Sequence, residues 1–347
     1  MSVVAKVLVV GDYISLIHEN AICSAFEANQ LEVESFKFNK YFTSGNALKT
    51  KFNNFQIKFT IGPTISKINN ELYNLISSNH YDFVFFYRPR IIQESVLKFI
   101  STRSIIYFYN NDDPFSALYN RFFWSKYFKG LKYCKHIFYY RHKNNLDYNK
   151  IGYSNVTLLR SYFIKSINFP LAKSKQYDVV FIGHYENDGR DIYLKFLLDN
   201  GINLKIYGPE WHRSSYYKYF IQRIGEIKSL NLIDYNLVLN SSKIALVFLS
   251  TLNSDTYTRR CFEIPATKTF MLATYTADLA GLFIPGKEAD FFESKEDLLN
   301  KINFYLQNST KRDEIAYNGY KKVLSDFHEV SYRVKIILDQ FYVDIKK

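Results

Sequence analysis

Cysteine is scarce in this chain of 347 residues: it has three, Cys23, Cys134 and Cys261, far apart and without metal-ligand spacing. That pattern excludes a disulfide-stapled or zinc-ribbon scaffold and predicts free thiols in a reducing cytoplasm. The 13 glycines and 7 prolines are too few for a collagen-like or low-complexity chain, and 18% aromatic residues excludes disorder. No apolar run approaches the ~18–20 residues that cross a bilayer. No run of five basic residues occurs, so a disordered basic arm is not expected. No helix-turn-helix, RNP or zinc-finger signature is present, and a nucleic-acid partner is not expected either. The opening stretch MSVVAKVLVVGD has no basic n-region, apolar h-region and small-residue cleavage site, so it reads as a first strand, not a signal peptide.

What the chain has is positive charge and strand-like runs. Lys and Arg number 45 against 33 Asp and Glu, a net charge of +12. Such a surface favours anionic partners, among them phosphorylated small molecules and anionic headgroups. The same excess also fits a codon-driven enrichment in Lys and Asn with no specific partner. Apolar runs at 6–10, 33–38, 83–87, 105–109, 137–140 and 156–159 alternate with stretches of helical periodicity such as 16–28 and 65–77. Near-continuous apolar strands separated by helices predict a parallel sheet covered on both faces.

The pattern then restarts. Strands are expected at 177–183, 202–208, 243–249 and 269–273, with helices at 191–200, 232–239 and 256–264. The expected organisation is an α/β chain of two Rossmann-like, doubly wound domains, 1–165 and 177–329. A polar linker at 166–176 joins them. Helices follow at 294–307, 311–325 and 330–343, and 330–347 forms a C-terminal helix that crosses back to the first domain. Ser294 and Asp297 form a capping-box-like start. Two such domains facing each other place a ligand at the carboxyl ends of the strands.

The stretch SDTYTRRCFEIPATKTFML, 254–272, is the most informative. Asp255, Arg259 and Glu263 stand at i, i+4 and i+8, one face of a helix. A phosphate at the start of that helix would meet amide N–H groups and the planar fork of Arg259. An N-cap Asp255 with an i,i+4 ladder on a solvated face explains the same spacing.

The spacing Asp-x7-Glu also resembles the acid-x7-Glu motif of GT-B nucleotide-sugar glycosyltransferases. The wording around it is similar to the spore-maturation-protein-like (CgeB-type) branch, whose pattern stands here as Asp255, Thr258, Arg260, Phe262, Glu263, Ile264 and Ala266. Gly286, Lys287 and Glu288 follow, then His328 and Arg333. Upstream, VVFIGHYENDGR resembles the opening of the family's C-terminal domain, with Gly183 and Arg190, and NNDDPF at 110–115 resembles an Asp-Asp-Pro element. The resemblance covers most of 179–333 and is thinner before residue 170.

The resemblance implies the GT-B fold and a glycosyltransferase. Glu263 would bind the ribose hydroxyls of the nucleotide, and Asp255 would contact the donor sugar or organise the phosphates. Arg190 with Arg259 or Arg260 would neutralise the departing diphosphate. Gly183 and Tyr235 would line the donor. Lys268 replaces a usual glycine; it either bears a positive φ at about 1 kcal/mol or points at the phosphates. On the acceptor side the polar candidates are Asp112, Asp113, His18 and Arg88, although a turn explains the Asp pair and a surface role explains His18.

No metal or other cofactor is expected. The acid-x7-Glu motif leans to retention. The implied acceptor is a glycan or polyprenyl-linked glycan of surface-polysaccharide (O-antigen or capsule) synthesis, reached by a cytoplasmic protein at the anionic inner face of the membrane. The alternative is a catalytically silent GT-B-like binding or scaffold protein. Aromatic runs at 81–87 and 107–109 read as core, whereas 211–219 reads as a loop that frames a nucleobase or touches a membrane surface.

Overall fold

The computed structural model describes residues 4–42, 45–120 and 122–346. Two compact units emerge. The first runs up to Arg160 and includes the segment from Val330 on, and the second is Ser161–Glu329.

The first unit holds a six-stranded sheet made of β1 (Lys6–Gly11), β2 (Glu32–Lys37), β3 (Phe83–Tyr87), β4 (Ile105–Asn110), β5 (His136–Tyr139) and β6 (Val156–Leu158). Its order is β2-β1-β3-β4-β5-β6, and every pairing is parallel. All five residues of β3 are buried, as a strand covered on both faces requires. The edge strand β2, EVESFK, buries only Phe36 and carries charge toward solvent. The helix Val330–Asp344 packs on Glu19–Ala28. Its Asp344 accepts the Tyr107 hydroxyl at 2.8 Å, and its Val334, Ile337, Leu338 and Phe341 are buried.

The second unit holds five parallel strands: β7 (Tyr177–Ile182), β8 (Leu204–Tyr207), β9 (Ser242–Val247), β10 (Phe270–Thr274) and β11 (Asp290–Phe292). Their order is β11-β10-β9-β7-β8. The two ends of this unit meet: Phe163 bridges to Glu329, and its N–H donates to the His328 carbonyl at 3.1 Å. In each sheet the chain reverses its direction of strand addition once, between β1 and β3 and between β7 and β9. Loops diverge at such a switch point and leave a crevice at the carboxyl ends of the strands.

Several expectations are corrected. The segment 166–176 is not a free linker. The Phe169 N–H donates to Asn236 Oδ1 at 3.3 Å and the Leu171 N–H to Asn240 Oδ1 at 2.6 Å, so the segment is laid on the helix Leu232–Asn240. Trp211 does not frame an open loop. It is buried and donates Nε1–H to the Gly183 carbonyl at 2.9 Å. The helices Ala47–Phe59, Glu94–Ser101, His142–Lys150 and Tyr217–Ile224 and the short β11 had no clear signal. The capping expectation at Ser294 is met, since its Oγ accepts the Asp297 N–H at 3.1 Å.

Candidate functional site

The loops that follow β7 and β9 meet at the second unit's switch point, and the short helix Arg260–Ala266 starts there. This helix begins four residues later than its sequence pattern implied. The Asp255 N–H turns back to the Ser250 carbonyl at 2.9 Å, so Asp255 is half-buried in the preceding loop and does not share a helix face with Arg259 and Glu263. Pro265 lies inside the helix and donates nothing to its ladder, and the chain leaves the helix through Lys268, whose φ is 57°.

Glu263 is the centre of the site. It is 6% exposed, and its Oε2 accepts the Tyr235 hydroxyl at 2.8 Å. Its Oε1 lies 3.8 Å from Arg259 Nε, and the Arg259 guanidinium stands 4.4 Å over the ring of Tyr162. Burial raises the Glu263 pKa, while Arg259, the Tyr235 hydroxyl and Arg260 pull against it. A buried carboxylate held by one hydroxyl and one guanidinium retains lone pairs for further donors.

Arg260 points along the end of β7. Its Nη1 donates to the Ile182 carbonyl at 3.1 Å, and its buried Nε has no hydrogen-bond partner among the described residues. Gly183 makes room for it, because a Cβ there would lie 2.9 Å from Arg260 Nη1 and 2.7 Å from Phe181 Cζ. The Gly183 N–H donates to the Tyr207 carbonyl at 2.8 Å, and its own carbonyl accepts from Trp211. Gly183 therefore shapes the site and offers no amide to a ligand.

Arg190 departs from its expected role. Its Nε and Nη2 grip Asp188 at 2.8 and 2.5 Å, its Nη1 donates to the His184 carbonyl at 2.8 Å, and Glu186 stands 3.4 Å away. With its side chain 1% exposed, this arginine ties its own loop together and presents no fork to a diphosphate. Beside it is a group that sequence reasoning missed. Glu186 pairs with His184 Nε2 at 2.7 Å and accepts the Ser250 hydroxyl at 2.7 Å. Burial pushes this carboxyl up, but His184, Arg190 and Ser250 outweigh it and hold the pKa at about 2. The His-x-Glu spacing in the polar loop was the available signal. Its partner Ser250, 64 residues on, carried none.

Lys268 is far from this chemistry. It lies after the helix Arg260–Ala266, ahead of β10, at the amino end of the sheet. Its φ is 57°, and its ammonium sits 4.8 Å over the Tyr317 ring. The strain expectation therefore replaces the phosphate expectation. Lys268→Gly should raise stability by about 1 kcal/mol in urea unfolding, since glycine carries no left-handed penalty. A lower midpoint would remove that account. Gly286 and Glu288 form a turn in which Glu288 Oε2 accepts the Ile284 N–H at 2.8 Å.

In the first unit the acceptor-side candidates separate. Asp113 is fully buried, bound to Lys143 at 2.8 Å, to Asn144 at 2.9 Å and to the Phe115 N–H at 3.1 Å, so it builds a turn. Asp112 is partly exposed and lies 3.5 Å from Arg88. His18 precedes the helix Glu19–Ala28 and stacks on Tyr87, with ring centroids 5.5 Å apart. Among the described residues no three His, Cys, Asp or Glu side chains are grouped to hold a metal ion.

A family profile described as glycosyl transferase-like matches residues 190–339. No curated protein matches the chain by sequence. Among solved structures, the fold is similar to sucrose-phosphate synthase from Thermosynechococcus elongatus (TM-score 0.73, 10% identity, 98% of this chain and 99% of that one). It is similar to Anabaena HepE in complex with UDP-glucose (TM-score 0.67, 11% identity, 97% and 99%). It is also similar to a Listeria monocytogenes protein described as a UDP-N-acetylglucosamine 2-epimerase (TM-score 0.57, 11% identity, 99% and 97%). One fold thus carries more than one reaction. By fold this chain is a GT-B protein, and its segment 190–339 is similar to the glycosyl transferase-like family.

Proposed function

We propose that the chain is a glycosyltransferase that takes a sugar from a nucleotide-sugar donor held at the second unit's switch point. The observation that carries this reading is the buried Glu263 between Tyr235 and Arg259, inside the segment with glycosyl transferase-like similarity. In this reading Glu263 accepts the ribose hydroxyls. Arg259 and Arg260 compensate the charge that develops on the leaving diphosphate, and Asp255 contacts the transferred sugar. Transfer proceeds with retention, as the acid-x7-Glu resemblance implies, and without a metal ion, as the wider GT-B resemblance implies.

The test is a melting panel with UDP, GDP, CMP, ADP and dTDP and their sugar conjugates, UDP-glucose first because HepE binds it. Saturation at 100 times Kd adds about 2.7 kcal/mol of stability, seen as a raised Tm. Sugar release from the stabilising conjugate, supplied with acceptor, then separates a transferase from a silent binder. No shift with any nucleotide would overturn the reading.

The acceptor in this proposal is a glycan or polyprenyl-linked glycan of O-antigen or capsule assembly, met at the inner face of the membrane. Support comes from the helix Ala47–Phe59. Leu48, Phe52 and Phe55 are exposed at i, i+4 and i+7, and Lys49, Lys51 and Lys58 share a helix without acidic residues. A hollow of about 460 Å³ adjoins it, its lining including Phe59, Ile61, Phe122, Lys126 and Lys129 together with one carboxylate, Glu94. An apolar stripe with lysines beside it suits the surface of an anionic bilayer. Among the described residues no helix is long and apolar enough to cross one. Substituting Phe52→Ser with Phe55→Ser should weaken binding to phosphatidylglycerol-containing vesicles roughly tenfold and leave nucleotide binding unchanged. Vesicle binding that is unaltered, or insensitive to salt, would refute this surface.

A further inference from the structure

The carboxyl ends of β1, β3 and β4 carry a charged group that the donor chemistry does not use. Arg88, after β3, donates Nη2–H to Asp12 Oδ2 at 2.8 Å, and its Nη1 lies 3.5 Å from Asp112 Oδ2. These three side chains are 24%, 19% and 23% exposed, open enough to touch a ligand. Behind them Glu19 is fully buried. Its Oε1 accepts the Asp12 N–H at 3.1 Å, and its Oε2 has no hydrogen-bond partner among the described residues. Asn110 Nδ2, Asn111 Oδ1 and Arg88 Nε are buried and unpartnered in the same sense.

Orphaned buried polar atoms are uncommon in folded proteins, and four gathered at one end of one sheet point to a polar group that completes them. The backbone adds a second sign. Tyr13 and Arg88 have φ of 56° and 52°, a left-handed conformation that residues other than glycine rarely adopt and that collects at functional sites. This place is also the first sheet's switch point.

The fit of Glu19 is tight. A Cβ on Gly11 would lie 2.5 Å from Glu19 Cγ and Oε1, so β1 ends in glycine where the carboxyl enters. Burial, then the Asp12 charge, pushes Glu19 up to about 7, with Arg88 and backbone N–H groups opposing. The groups around it are Asp12, Tyr13, Arg88 and Asp112, with Arg90 beside the same carboxylates and His18 adjacent on Tyr87. With Glu19 neutral, Arg88 and Arg90 balance Asp12 and Asp112. Once Glu19 ionises, a third carboxylate competes for Arg88, and the cluster turns net negative.

We propose that Asp12, Arg88 and Asp112 form a binding site for the hydroxyl groups of a neutral carbohydrate, and that Glu19 is its positioning residue, holding a proton while the site keeps its shape. Donors and acceptors alternate, and the charges cancel, as a polyol requires and a phosphate does not. The proposal rests on the glycosyltransferase reading, in which this unit receives the acceptor.

The test is saturation-transfer NMR on the full chain with methyl glycosides of glucose, galactose, mannose and N-acetylglucosamine, without nucleotide, at pH 6 and pH 8.5. At least one glycoside should bind at pH 6 and bind roughly tenfold or more weakly at pH 8.5, since ionised Glu19 then dominates. Glu19→Gln, the isostere of the protonated acid, should bind alike at both pH values. Asp12→Asn should fail at both. Absence of glycoside binding at pH 6, or a pH dependence that persists in Glu19→Gln, overturns the proposal. If Glu19→Gln does not fold, the infrared carbonyl band of a protonated carboxyl in the wild type decides, because it must titrate near pH 7 and respond to the bound glycoside. Glycoside binding with no nucleotide shift would sink the donor reading and leave this site standing. The reverse pattern would sink this site alone.

Discussion

Glu263→Gln should lower donor affinity about 100-fold while leaving the stability of the protein within about 1 kcal/mol of wild type. Hydrogen bonds to a charged acceptor are worth about 1.5–3 kcal/mol each, and two ribose hydroxyls would lose that charge together. Stability should hardly move because the side-chain amide carbonyl of the variant still accepts the Tyr235 hydroxyl, and because burial of the carboxylate opposes Arg259 in the native state. Tyr235→Phe should cost less, about tenfold, since the carboxylate remains but loses the hydroxyl that aims it. The sign with pH follows from the raised pKa of Glu263. Donor binding is full where the carboxylate is ionised and falls as pH drops through a value above the usual carboxylate range, and Glu263→Gln should abolish that acid limb. Calorimetric titration with the nucleotide that raises Tm measures each term. Undiminished affinity in a folded Glu263→Gln protein would take Glu263 out of the donor site.

A second substitution should act through folding alone. Gly208 has φ of 135°, and a Cβ there would lie 2.1 Å from the Gly183 carbonyl oxygen and 2.5 Å from its carbon. That carbonyl is fixed by Trp211, so neither side of the contact can yield without moving the end of β7. Gly208→Ala should therefore cost more than about 3 kcal/mol in urea unfolding or prevent soluble expression. Gly201, with φ of 76° and nothing within 4 Å of the same position, gives the comparison. Gly201→Ala should cost only the conformational strain, about 1 kcal/mol. Equal losses at the two positions would mean that close approach at Gly208 contributes nothing.

The sheets were readable because buried parallel strands leave continuous apolar runs. FVFFY at Phe83–Tyr87 forms a strand over the expected residues. The three residues of β11 were not readable, since Asp290–Phe292 is too short to leave a pattern. The start of the helix at Arg260 shows a different failure. Counting i, i+4, i+8 from Asp255 presumes a helix already under way, whereas the chain first closes a loop from Asp255 to Ser250. Residue type marked Glu263 and Arg190 alike as ligand-binding candidates. It could not reveal that Asp188, two residues away, captures the Arg190 fork, or that Tyr235, 28 residues away, clamps Glu263. Nor could it place Lys268 at the opposite end of its helix from the chemistry. Glu19 passed unmarked because its oddity is burial beside Gly11, a fact of packing that charge and spacing do not record.

The return of the helix Val330–Asp344 to the first unit makes that unit discontinuous in the chain. The second unit has all its residues once Glu329 has been made, and its ends are already bridged through Phe163. The first unit, begun earlier, is still missing the helix that covers Glu19–Ala28 and supplies the partner of Tyr107. The second unit thus closes from one unbroken stretch of chain, whereas the first needs two, its apolar face covered only when Val334, Ile337, Leu338 and Phe341 arrive. A free chain ending at residue 329 would keep one complete unit and leave the other with that apolar face uncovered.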